Sequence, residues 1–298
     1  MKDLNEILKL ACSVGWGAAD ILHSFYTGKD KESSAEIGRP LDVEYKQNEP
    51  VTAADIATSE YILNSLQKAL GTEDFGYISE ETYKSDQGKI NTHSYIWIID
   101  PLDGTRDFIE KTGEYAIHIA LITENRPILS VVVIPEADKL YFAIKGGGTF
   151  VQTRDGETKS IKVSDCNQVE NLTVVVSRSH RNQPLENLLK KLPCQNQKAV
   201  GSVGGKIAAI IEQKADVYIS LSGKSAPKDW DMAAPELILT EAGGKFTHFD
   251  GSPLQYNTGD INQWGGLMAS NGQCHEFLCQ EAEGILNNSS TINLDAPS

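Results

Sequence analysis

The chain has 298 residues, 40% of them hydrophobic and 23% charged, an ordinary composition for a soluble globular protein with a sizeable core. Forty-one acidic against 27 basic residues leave a net charge of −14, a surface that argues against polyanionic nucleic acid or an anionic membrane as partner. A small anionic substrate stays compatible, provided metal ions or a few cationic side chains reverse the field locally.

No apolar run approaches the roughly 18 residues that cross a bilayer. Met1 to Leu10 carries four charged residues and lacks the form of a signal peptide. Five cysteines (Cys12, Cys166, Cys194, Cys274, Cys279) without a Cys-x-x-Cys pair read as buried thiols rather than a disulfide frame or zinc site. These features together point to a cytoplasmic protein.

Leu4, Ile7, Leu8, Ala11, Val14, Ala18, Ile21, Leu22 and Phe25 recur at helical spacing and predict an opening amphipathic helix. Gly28 to Pro50 is polar and reads as a loop or loose hairpin, with Leu41 to Tyr45 extended. Thr52-Ala53-Ala54-Asp55 fits a capping box opening a helix that runs to Leu70 and stops at Gly71. A short strand ends at Ile78-Ser79-Glu80-Glu81. The apolar run Ile96 to Ile99 predicts a buried strand that stops on a carboxylate, followed by a short helix over Thr105 to Glu110. Tyr115 to Ile122, Ile128 to Ile134 and Leu140 to Ile144 are β-rich and joined by short turns, as in an antiparallel meander.

The polar stretch Thr153 to Ser160 is taken as the boundary between two lobes, 1–155 and 156–298. Beyond it elements alternate: strand Thr173 to Val176, helices Pro184 to Leu192 and Gly205 to Gln213, strand Val217 to Leu221, helix Asp231 to Ala242, strands Lys245 to Phe249 and Gly266 to Ala269, and helix Cys274 to Leu286. Such alternation implies helices packed on a sheet. The tail Asn287 to Ser298 is polar and expected to be disordered.

Chemistry concentrates in Trp97-Ile98-Ile99-Asp100-Pro101-Leu102-Asp103-Gly104-Thr105. Two carboxylates at a strand-to-helix turn offer hard oxygen ligands suited to Mg²⁺, and an open helix start beside them suits a phosphate. Asp55, Glu80 or Glu81, the Asp100/Asp103 pair and Asp231 all fall at ends of predicted elements. Each also has a plainer reading: Asp55 completes a capping box, Asp231 caps its helix, and Glu80-Glu81 is solvated loop charge. A set of such acids at the ends of apolar segments is what a two-metal phosphoryl-transfer site requires, with cations about 3.5–4 Å apart.

Trp97 to Thr105, Ser79-Glu80-Glu81 and Trp230-Asp231-Met232-Ala233-Ala234-Pro235-Glu236, with Glu241-Ala242-Gly243-Gly244, resemble the motifs of the lithium-sensitive, magnesium-dependent phosphomonoesterases related to inositol monophosphatase. The resemblance implies an α/β fold, a layered α-β-α-β-α sandwich of the inositol monophosphatase/sugar phosphatase type. It implies two Mg²⁺, with a third bound weakly near the loop before Pro50, where Glu49 departs from the family pattern. By the same resemblance Glu80, Asp100 and the Leu102 carbonyl would hold one cation, and Asp100, Asp103 and Asp231 a second. Asp55 and Thr105 would orient the attacking water, and the N–H groups of Gly104 and Thr105 would bind the phosphate. The N-terminal lobe would then carry most metal ligands.

Ser177-Arg178-Ser179-His180 and Gly201-Ser202-Val203-Gly204-Gly205-Lys206, with Gly113-Glu114-Tyr115 and Leu254-Gln255-Tyr256, look like the 3′(2′),5′-bisphosphate nucleotidases within that group. This implies removal of the 3′-phosphate of 3′-phosphoadenosine 5′-phosphate, with Ser177, His180, Ser202 and Lys206 contacting the nucleotide. A second phosphate that is not cleaved needs a fixed cation, which Lys206 in its glycine-rich turn can supply; without the resemblance Lys206 reads as surface charge and His180 as a satisfied loop histidine. Inositol monophosphatase or inositol polyphosphate 1-phosphatase activity is the alternative on the same apparatus. A non-catalytic nucleotide-binding or scaffold protein is the alternative of another class. A small phosphorylated nucleotide is thus the expected partner, and a monomer or homodimer the expected assembly.

Overall fold

The structure is a computed structural model that describes residues 3–28, 43–46, 49–83, 90–178 and 181–292. Helix α1 (Leu4–Thr27) opens the chain, capped by the Asp3 carboxylate, which accepts the Asn5 N–H. A hairpin of β1 (Val43–Lys46) and β2 (Glu49–Thr52) leads into α2 (Ala53–Leu70). Then come β3 (Phe75–Ser79), β4 (Tyr95–Asp103), the short α3 (Thr105–Ile109), β5 (Ala116–Thr123), β6 (Arg126–Ile134), β7 (Lys139–Ile144), β8 (Thr149–Thr153) and β9 (Thr158–Ile161). They form a seven-stranded sheet in chain order, parallel between β3 and β4 and antiparallel from there on.

The second sheet has five strands in the order β11-β10-β12-β14-β13. Its elements are β10 (Thr173–Ser177), α4 (Gln183–Lys191), β11 (Asn196–Val200), α5 (Val203–Ile211), β12 (Val217–Leu221), α6 (Asp229–Glu241), β13 (Lys245–His248), β14 (Gly266–Ser270) and α7 (His275–Ile292). Parallel pairing among β10, β11 and β12 requires crossovers, and α4 and α5 supply them.

Side-chain alternation along each strand sorts the core into layers. On β4, Trp97 and Ile99 face α1 and α2, where they meet Ile7, Leu22 and Ile62. Ile96 and Ile98 face the other way, onto α5 and α6, with Ile207, Ile210, Leu237 and Ile238. The far side of that helical layer meets the second sheet through Val175, Tyr218 and Leu267. The sheet's other face, Val174, Val176, Val217 and Ile219, packs on Leu188 of α4 and Leu278 of α7. The order is α-β-α-β-α, and the central strands of both sheets are buried on two faces, which is why they read as near-continuous apolar runs.

Three expectations change. Thr153 to Ser160, polar and read as a boundary, is the hairpin joining β8 to β9; the switch of sheet falls between Ile161 and Thr173. Strands β8, β9 and β11 escape a pattern search because polar residues, half-buried in β8 and exposed in β9 and β11, break the apolar runs. The last helix runs past Leu286 to Ile292 rather than yielding to a disordered tail, and residues 293–298 lie outside the described residues.

Candidate active site

Turns from both sheets open on one cavity of about 1060 Å³, lined among others by Asp55, Glu80, Asp100, Asp103, Thr105 and Asp231. Glu81, Leu102, Gly104, Ser177 and Lys206 also reach its wall. β4 delivers the central turn. Its pairing with β5 holds up to Asp100, opposite His118, and shifts register before Asp103, opposite Ala116. Pro101 has no N–H to give a ladder, so the break falls where the sequence cannot sustain one. The Asp100 Oδ1 accepts the Leu102 N–H at 3.0 Å, and the Leu102 side chain is sunk in the core beneath α1 and α2. Gly104, left-handed at φ +91°, then turns the chain into α3, whose start no side chain caps.

Asp55 serves two purposes with two oxygens. Its Oδ2 accepts the Thr52 N–H at 2.7 Å and the Thr52 hydroxyl at 2.6 Å, closing the capping box of α2. Its Oδ1 accepts the Thr105 hydroxyl at 3.1 Å, a hydroxyl that also lies 3.2 Å from the Leu102 carbonyl. Asp231 repeats the arrangement: Oδ2 accepts the Lys228 N–H at 2.7 Å in the first turn of α6. Asp103 is gripped from the second half of the molecule. Its Oδ2 accepts the Gly204 N–H at 2.9 Å and lies 3.2 Å from His118 Nε2. A side chain at residue 204 would collide with His118 Nε2 at 2.5 Å and with Ala116 at 2.7 Å, so glycine there lets α5 approach β5.

Burial pushes the Asp100 carboxyl well up, and repulsion from Glu80, Asp103 and Asp231 pushes it further. Burial and Asp103 raise Asp231 to about 6. Burial raises Asp55 to about 6 against its bonds to Thr52. Asp103 goes the other way: His118, Lys206 and the Gly204 N–H outweigh its burial and hold it below the usual range. Buried carboxylates that repel one another need cations. The donors, all oxygens, fit a hard divalent ion rather than a soft one. Among the described residues no three His, Cys, Asp and Glu side chains are gathered into a ready-made metal cage. The acids line an open cavity wall.

The nucleotide-contact expectations fare unevenly. Ser177 ends β10 at the cavity wall. Ser202 is buried, and its hydroxyl caps α5 by accepting the Gly205 N–H at 3.0 Å; it is not among the lining residues. Lys206 reaches the wall, but its Nζ donates to the Gly201 carbonyl at 2.6 Å and the Ser202 carbonyl at 3.0 Å. Burial lowers its pKa to about 8. The expected contact from His180 lies outside the described residues.

Sequence reasoning missed several participants. His118 is fully buried, with Nδ1 3.2 Å from the Trp230 carbonyl and Nε2 facing Asp103, so it joins the central turn to α6. A single histidine inside the apolar run Ile117-His118-Ile119 was the available signal. Asp229, also fully buried, accepts the Asn257 N–H at 2.8 Å and Gln263 Nε2 at 2.7 Å, tying the start of α6 to the loop after Tyr256. Its neighbour Asp231 drew the attention instead.

Residues 3–287 match the inositol monophosphatase family, and the chain belongs to that family. Among curated relatives, the 3′(2′),5′-bisphosphate nucleotidase CysQ of Escherichia coli K12 is 32% identical over 251 residues, covering 84% of this chain and 94% of the relative. The CysQ of Buchnera aphidicola is 36% identical over 218 residues, covering 73% and 78%. Among solved structures, the extragenic suppressor protein suhB of Bartonella henselae superposes with a TM-score of 0.75 at 23% identity, covering 93% of this chain and 98% of its own. The layered fold is therefore that of the family.

Proposed function

We propose that the protein is a divalent-metal-dependent phosphomonoesterase, a 3′(2′),5′-bisphosphate nucleotidase that takes 3′-phosphoadenosine 5′-phosphate to AMP and phosphate. The observation that carries the chemistry is the Asp55–Thr105 pair set 3.1 Å apart beside mutually repelling buried acids in one cavity. The substrate is carried by likeness to the CysQ nucleotidases over most of both chains.

Glu80, Asp100, Asp103, Asp231 and the Leu102 carbonyl are the residues that would hold two Mg²⁺. When bound, such ions polarise phosphoryl oxygens and lower the pKa of a water. The remaining work falls to the chain. Thr105 turns its proton to Asp55, so its oxygen presents lone pairs to a water in the cavity. As that water attacks phosphorus in line, the bond from phosphorus to the ribose 3′-oxygen breaks on the opposite side; the water's proton passes to the Thr105 oxygen, the Thr105 proton passes to Asp55, and the departing 3′-oxygen takes a proton from solvent in the cavity. A carboxylate near pKa 6 is well placed to receive it close to neutral pH. The uncapped start of α3, at Gly104 and Thr105, offers N–H groups to the phosphate. The metal ligands then come chiefly from the seven-stranded half, while Ser177 and the turn before α5 come from the five-stranded half.

Phosphate release measured with Mg²⁺ on 3′-phosphoadenosine 5′-phosphate and on inositol 1-phosphate tests this reading. Metal-dependent release favouring the nucleotide is expected. Preference for the inositol phosphate, or release from neither, would overturn it.

A further inference from the structure

Two stretches that face substrate come from different sheets: the Gly104 turn from β4, and the Gly201–Lys206 turn from the end of β11. Glu114, in the loop between α3 and β5, touches both partners of that junction. Its Oε2 accepts the Gly201 N–H at 2.8 Å and Arg178 Nη2 at 2.6 Å. Its main-chain carbonyl accepts the Ser202 N–H at 3.1 Å. The same carbonyl lies 3.2 Å from where a Cβ on Gly104 would stand. One residue thus abuts the phosphate turn, holds two consecutive amides of the substrate turn, and anchors the arginine that follows Ser177.

Asp107 of α3 tightens the junction. Its Oδ1 lies 3.5 Å from Arg178 Nε and accepts the Thr112 hydroxyl at 3.0 Å. Its carboxylate packs so closely on Gly201 that a Cβ there would fall 2.4 Å from Asp107 Cγ. The turn held this way positions the two carbonyls that receive Lys206 Nζ.

We propose that Glu114 is a positioning residue for substrate selection: it fixes the Gly201–Lys206 turn and the Arg178 segment in register with the Gly104 turn. A phosphomonoester carrying a second phosphate then meets both halves of the site at a set spacing. This rests on the nucleotidase reading for its substrate, whereas the lock itself does not depend on it. The scissile phosphate meets the metal-bearing turn, which is hydrogen-bonded to the locked turn through the Gly204 N–H on Asp103, two residues past the amides Glu114 holds, so a monophosphate feels the lock less than a bisphosphate does.

The test uses the full chain with Glu114→Ala, Glu114→Gln and Arg178→Met. Hydrogen exchange of the metal-free protein reads the lock directly. Glu114→Ala should speed exchange at the Gly201 amide by about 10- to 150-fold, the range for losing a hydrogen bond to a charged group. The Ser202 amide should stay protected, because its acceptor is main chain. Unchanged protection at Gly201 overturns the proposal whatever the substrate. In turnover, Glu114→Ala should raise KM for 3′-phosphoadenosine 5′-phosphate with kcat at saturation nearly unchanged, and alter hydrolysis of inositol 1-phosphate by a clearly smaller factor. Glu114→Gln keeps an acceptor for Gly201 and should fall between, as should Arg178→Met. The charge swap Glu114→Arg with Arg178→Glu should not rescue, since arginine cannot accept the Gly201 N–H. Equal losses on both substrates, or full rescue by the swap, contradict the positioning role. A wild type inactive on the bisphosphate nucleotide refutes the functional reading and leaves the exchange result to decide this one.

Discussion

The two turns that meet at the cavity solve opposite problems. The Asp100–Thr105 turn gathers buried carboxylates that repel one another, so its electrostatics are unfinished in the protein alone. The Gly201–Lys206 turn closes on itself: Lys206 bonds two carbonyls of its own turn, Ser202 caps the helix that follows, and Glu114 takes the leading amide. The first turn trades stability for a site that awaits cations, and the second is built for rigidity. Substitutions in the two should therefore move activity and stability in different patterns.

The largest effect is expected at Asp55. Asp55→Asn should lower kcat by about 10²–10⁴-fold, the range for loss of a general base. It should also lower the melting temperature, since Oδ2 closes the α2 capping box. A melting-point drop with kcat preserved would reduce Asp55 to its cap. At the other turn, Lys206→Met should lower kcat/KM for the bisphosphate nucleotide by about 10- to 150-fold. It should also melt at a lower temperature with or without Mg²⁺, because two carbonyls lose their partner. An equal loss on inositol 1-phosphate would make Lys206 a structural prop.

Much of this contrast was legible before the fold. The capping-box spacing at Thr52-Ala53-Ala54-Asp55 and the Trp230-Asp231 helix start place Asp55 and Asp231 in the first turns of α2 and α6, whereas β4 runs three residues past the stop expected at Asp100 and ends on Asp103. The sequence reading set cap against catalyst for Asp55 and Asp231, but a carboxylate has two oxygens. In Asp55 one closes the cap while the other takes Thr105, and in Asp231 a single oxygen accepts the Lys228 N–H. The contacts of Glu114, Asp107 and His118 were not legible, because they are made with residues 87 to 112 positions away brought close by the fold. Resemblance alone led to the expectation that Lys206 meets the substrate, and nothing in its local sequence announced its carbonyl partners, Gly201 and Ser202. Local spacing reports helix caps and strand ends; it cannot report which turn of another sheet will lie opposite.

A smaller effect separates the acid-rich turn by pH. Burial raises Asp229 to about 7, and Asp55 and Asp231 to about 6, above the unfolded carboxylate near 3.8. The folded state then binds more protons than the unfolded state between about pH 4 and 7, so stability from these groups falls as pH rises through that window. His275, lowered to about 4 by burial, opposes them, losing stability as pH falls from about 6.5 to 4. Melting in a chelator from pH 5 to 7.5 should show a shallower decline for Asp229→Asn than for wild type. The gap should be roughly 2–4 °C per kcal/mol. Identical slopes would mean that Asp229 is ionised in the fold.

The most direct measurement compares melting of wild type and Asp100→Asn with and without Mg²⁺. If the central turn is an unfinished acid cluster, Mg²⁺ at about 100 times its Kd should stabilise wild type by about 2.7 kcal/mol for each site it fills. Asp100→Asn, which removes an ionisable member of the repelling cluster, should melt no lower than wild type in chelator and should lose most of the Mg²⁺ increment. A wild type indifferent to saturating Mg²⁺, or an Asp100→Asn variant stabilised as much as wild type, would contradict the account.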